Sequence, residues 1–79
     1  LRPNEYETLR LLGVAYGIQG RHDLAINYFS KALDANPESA EAHWNLGNAY
    51  YYVGEEAKAV EFRQKALQID PEVANRGNK

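Results

Sequence analysis

The sequence predicts an all-α fold of tandem antiparallel helical hairpins, four helices followed by a short C-terminal segment, and three observations predict it. The chain repeats itself at a fixed period of 34 residues. Each repeat carries two stretches of helical apolar spacing, and glycine or proline punctuates the junctions after each of the four.

The repeat is the strongest of the three. A shift of 34 aligns Glu7 with Glu41, Leu12-Gly13 with Leu46-Gly47, Ala15-Tyr16 with Ala49-Tyr50, and Gly20 with Gly54. It continues with Ala25 on Ala59, Lys31-Ala32-Leu33 on Lys65-Ala66-Leu67, and Pro37-Glu38 on Pro71-Glu72. Twelve of 34 aligned positions are identical, far above chance for a chain laid on itself, and such a period marks stacked supersecondary units. The whole of 1–79 reads as one domain, with repeat 1 at about 6–39 and repeat 2 at about 40–73; residues 74–79 begin a further helix or a tail.

The first helix is expected over residues 4–18, where Asn4-x-x-Glu7 has the form of a capping box. Gly20 ends it, because glycine enters the left-handed C-cap conformation without a steric cost. The second helix, 22–35, stops at Asn36-Pro37, since proline disfavours a helical residue before it. Ser39 can cap the third, 39–52, by accepting from a free backbone N–H. In that helix His43, Leu46, Gly47 and Tyr50 follow i, i+3, i+4, i+7 spacing. Gly54 ends it, and the fourth helix, 56–69, carries Ala59, Phe62, Arg63 and Ala66 at the same spacing before Asp70-Pro71. Gly13 and Gly47 lie in mid-helix, where glycine costs about 1 kcal/mol relative to alanine; close approach of a second helix is the expected reason.

Composition bounds what such a chain can do. At 79 residues with 44% hydrophobic and 25% charged, it can form one core and no more. Ordering at roughly 1.5 kcal/mol per residue nearly cancels the available burial, so the packing must be very regular or assisted by neighbours. The start at Leu1 without Met, and the end soon after a proline-led segment, suggest a piece of a longer protein. The absence of cysteine excludes disulfides, zinc knuckles and thiol catalysis and leaves the redox compartment open. A net charge of −2, with both signs interspersed, gives no basic stripe for nucleic acid. Apolar runs such as residues 11–16 are too short to cross a membrane.

Reactive chemistry is thin. His22 and His43 are the only histidines and do not stand at ligand spacing, so neither a catalytic nor a metal role is expected, and no cofactor. His22 falls near the inter-helix turn, and His43 falls on the internal face as a packed, hydrogen-bonded side chain. Gly13, Gly17 and Gly20 match no phosphate-binding pattern and follow no strand. Asp34 and Glu55-Glu56 belong on solvated faces.

Leu9, Leu12-Gly13, Tyr16, Ala25, Phe29, Ala32 and Pro37, and then Leu46-Gly47, Tyr50, Ala59, Ala66 and Pro71, resemble the tetratricopeptide repeat family over nearly the whole chain. Two departures stand out: Leu9 and His43 occupy the usual Trp position, and Arg63 replaces the counterpart of Phe29. Arg63 at the far end of the last hairpin suits a surface facing solvent or a capping helix. The resemblance implies a right-handed α-solenoid in which the first helix of each repeat lines a concave groove. The groove positions it implies are Glu7, Arg10, Leu11, Val14, Gly17 and Ile18 in repeat 1, and Glu41, Trp44, Asn45, Asn48, Tyr51 and Tyr52 in repeat 2.

From these, a peptide-binding set of Arg10, Trp44, Asn45, Asn48, Tyr51 and Tyr52 is expected: rings supply contact area and amides hydrogen-bond a peptide backbone. Arg10 and Asn45 also match positions of the family's clamp for a C-terminal carboxylate, but Val14 stands where that clamp has Asn. The expected function is a non-enzymatic scaffold that holds a peptide segment of a protein partner. Two rivals are self-association by end-to-end stacking of copies and service as the substrate-targeting arm of a larger enzyme.

Overall fold

The computed structural model describes residues 5–76, the Arg76 side chain excepted. Five helices follow in order: α1 Glu5–Ile18, α2 His22–Ala35, α3 Ala40–Tyr52, α4 Glu56–Ile69 and the short α5 Val73–Arg76. The four long helices match the expected boundaries to within a residue at each end. Asn4, the first residue of the expected capping box, lies outside the described residues.

Both hairpins close with the same turn. Gly20 and Gly54 adopt φ of 80° and 85°, the left-handed region that any Cβ would strain. The N–H of Arg21 then reaches the carbonyl of Tyr16 at 2.9 Å, and that of Glu55 reaches Tyr50 at 2.9 Å. These backward bonds satisfy carbonyls that the helix ends leave open. Between the hairpins, Asn36 closes α2 through its N–H to the Ala32 carbonyl, and Ser39 caps α3 by accepting from the Ala42 N–H at 3.1 Å. The Tyr6 hydroxyl shares a hydrogen bond with the Ser39 hydroxyl, which ties the start of α1 to the start of α3.

Packing explains the mid-helix glycines. A Cβ built on Gly13 would stand 2.6 Å from the Phe29 ring, so the ring lies directly against the backbone of α1. Repeat 2 makes the equivalent contact with a different side chain: a Cβ on Gly47 would meet Arg63 Cγ at 2.8 Å and the Ala59 carbonyl oxygen at 3.0 Å. Small residues carry the rest, with Ala25, Ala32, Ala42, Ala59 and Ala66 fully or almost fully buried. Phe29 and Leu46 fill the centre, with Val14, Tyr16, Leu33, Tyr50 and Phe62 packed around them.

The stack follows from which helices touch. α1 packs on α2, α3 on α4, and α2 on α3; α1 meets α3 only sparingly, and α2 and α4 do not pack together. α1 and α3 therefore run along one side with a gap between them. Val73 of α5, 2% exposed, packs under the second hairpin. At the opposite end Leu12 is 37% exposed, although its repeat mate Leu46 is 2% exposed, because Leu46 has a preceding hairpin to pack on.

Candidate functional site

The gap between α1 and α3 is a cleft of about 460 Å³. Ala25 and Phe29 of α2 reach it from below, Val14, Gly17 and Ile18 form the α1 wall, and Asn45, Asn48, Ala49 and Tyr52 form the α3 wall. Helical geometry sorts the α3 residues. Positions 41, 45, 48 and 52 follow i, i+4, i+7, i+11 spacing and turn toward α1, whereas 44, 47 and 51 form the adjoining stripe.

The six expected binding residues consequently separate. Asn45, Asn48 and Tyr52 line the cleft; Trp44, Tyr51 and Arg10 do not. Tyr52 is 66% exposed and stacks on the His22 ring, with centroids 4.7 Å apart. His22 is the first residue of α2 and borders the cleft. Sequence reasoning left it aside, since its repeat mate is Glu56 and the spacing gives no hint of the pairing.

Arg10 bridges the two first helices. Its Nε donates to Glu7 Oε1 at 3.0 Å and lies 3.7 Å from Glu41 Oε1. The hydrogen bond from Arg10, followed by its positive charge, holds the Glu7 carboxyl below its ordinary range. Glu7 in turn holds the Arg10 guanidinium in its charged form, against the opposing effect of partial burial and with the aid of Glu41. The expected ligand contact at Arg10 is thus already an ion pair within the protein.

Trp44 and Tyr51 flank a different cation. The stem of Arg63 crosses α3 at Gly47, where no Cβ blocks it, and its guanidinium carbon lies 5.6 Å from the Trp44 ring centre and 5.2 Å from that of Tyr51. Both distances suit a cation over an aromatic face. Arg63 Nε donates to Asn48 Oδ1 at 3.0 Å. Since a guanidinium only donates, that contact fixes the Asn48 amide: its oxygen serves Arg63, and its NH2 group is left as a donor at the cleft. The sequence showed Arg63 as a departure from the repeat; its reach across α3 depends on the packing of α3 against α4.

His43 is the packed histidine expected on the internal face. Its Nε2 lies 3.0 Å from the Pro37 carbonyl oxygen, which can only accept, so Nε2 carries the hydrogen. Nδ1 is buried without a partner, and the ring stacks on Phe62 at 6.1 Å. Among the described residues no cluster of three or more His, Asp or Glu could hold a metal ion, and no helix is long and apolar enough to cross a membrane.

Two stacked helical hairpins, with an amide- and ring-lined cleft between their first helices, define a helical-repeat module. The tetratricopeptide repeat family model matches residues 3–74, and the chain belongs to that family. The family is a non-catalytic repeat fold whose members bind protein partners and generally mediate protein–protein interactions. No curated protein sequence matches the chain.

Proposed function

We propose that this module holds a peptide segment of a partner protein in the cleft between α1 and α3. The observation that carries the reading is the mixed lining. Val14 and the 82% exposed Ile18 offer apolar contact, Tyr52 offers a ring with a polar tip, and Asn45 and Asn48 offer amides. Rings and aliphatic walls give a peptide contact area, and a few placed amides fix its backbone. Exposed apolar side chains beside polar groups are typical of an interaction surface.

Selecting binders from a displayed peptide library on the folded protein supplies the ligand for the test. Affinity is then measured for Val14→Glu and Asn48→Ala, with Val60→Glu on the exposed side of α4 as the control. Both cleft variants are expected to weaken binding at least about tenfold, a loss of about 1.4 kcal/mol, while the control binds as before. Selected peptides whose affinity is unmoved by both cleft substitutions would place the site elsewhere.

A further inference from the structure

We infer that Arg63, clamped between Trp44 and Tyr51, is a preformed receptor for a side-chain carboxylate, an Asp or Glu of the segment held in the adjoining cleft. The inference rests on the peptide-cleft reading for its occupant and on Arg63 itself for its chemistry.

Three features make Arg63 a receptor. The first is fixation. Gly47 admits the stem, Asn48 takes the Nε hydrogen, and two rings lie against the guanidinium. Much of the rotamer entropy that an arginine loses on binding is therefore already lost in the free protein. The second is availability. Arg63 forms no ion pair with an acid among the described residues, and its hydrogen bond to Asn48 uses Nε, so its two terminal nitrogens, neither of them fully buried, keep their donors. With Nε committed, those terminal nitrogens present the paired N–H edge that fits the two oxygens of a carboxylate. The third is contrast with Arg10, which bridges α1 and α3 and already faces Glu7 and Glu41.

The position favours a side chain over a chain end. Asn48 touches both the cleft and Arg63, so a segment lying in the cleft reaches the guanidinium by extending one side chain across α3. A terminal carboxylate reaches it only if the segment stops there. The rings also strengthen the contact, because they shield the guanidinium from water on their side.

The test uses small probes that do not depend on the cleft. N-acetylglutamate amide carries only a side-chain carboxylate, N-acetylglutamine amide is its neutral counterpart, and N-acetylglycine carries only a terminal one. Each is titrated while the Arg63 Nε–H resonance and Trp44 fluorescence are followed. A saturable response is expected with the glutamate probe, at least about tenfold stronger than with the glutamine probe. Arg63→Lys keeps a charge but loses the fork and is expected to lose most of the response, with helicity as the check on folding. An equal response to the neutral probe, no movement of the Arg63 resonance in the unaltered protein, or a response to N-acetylglycine alone overturns the assignment. Val14→Glu separates the two proposals: selected peptides whose affinity it leaves unmoved, alongside an intact carboxylate response, remove the cleft and leave Arg63 standing. Peptides that bind in the cleft while the Arg63 resonance stays still remove the Arg63 inference alone.

Discussion

Three glycines within the first helices of the two repeats have different structural reasons, and the space around each decides what a methyl group would do there. At Gly13 a Cβ would press on the Phe29 ring at 2.6 Å, and at Gly47 on the Arg63 stem and the Ala59 backbone. At Gly17 the nearest atom is the Ala25 Cβ at 3.9 Å, an ordinary contact. Overpacking costs about 1–3 kcal/mol, and a contact as close as 2.6 Å to a packed ring falls in the part of that range above the roughly 1 kcal/mol that alanine gains over glycine in a helix. Gly13→Ala is therefore expected to lower the urea midpoint and Gly17→Ala to raise it. Equal shifts of the same sign would show that propensity, not space, decides at both. The repeat alignment marked Gly13 and Gly47 as special because they coincide at the 34-residue shift, whereas Gly17 falls on Tyr51 and carries no such mark.

Among the elements, α3 is the best defined at its start. Ser39 accepts from the Ala42 N–H and also meets the Tyr6 hydroxyl, so one side chain caps α3 and ties it to α1. α2 and α4 begin without a side-chain cap, at Arg21 and Glu55, and rely on the glycine turns before them. Ser39→Ala is expected to destabilise the domain by about 1 kcal/mol for the cap, and by more once the Tyr6 hydroxyl loses its partner. Combining it with Tyr6→Phe gives the check: if the two hydroxyls are coupled, the double variant loses less than the sum of the single losses in chemical denaturation. A strictly additive result would show that the Tyr6 contact contributes nothing. The helix boundaries were legible because capping, glycine and proline signals are local. The Tyr6 contact was not, as it joins residues 33 apart across a hairpin.

At the scale of the whole molecule, the stack gives identical residues unequal roles. Leu46 packs at the centre between the two hairpins and Leu12, its mate in the alignment, lies at the open end. Leu46→Ala is expected to lower the unfolding free energy by about 2–5 kcal/mol through the cavity it leaves, a large fraction of the stability of so small a domain. Leu12→Ala is expected to lower it by well under half as much, since it removes a contact already open to water. Guanidinium titrations of the two variants check this, and equal losses would contradict the arrangement of the hairpins.

Read along the chain, the residues define the helices and their pairing into two hairpins, while the side on which α1 and α3 line a groove is what the family resemblance implies. The helices and hairpins follow from spacing and from local conformational rules that any 34-residue copy carries with it. The division of the candidate surface comes from the packing: Asn45, Asn48 and Tyr52 at the cleft, Arg10 within an ion pair, and Trp44 and Tyr51 around Arg63. The physical reason is that a helix periodicity assigns a residue to a face, while its partner there comes from another helix across the stack. Gly47 admits Arg63 from α4 to that face, and a periodicity read along α3 alone does not contain α4.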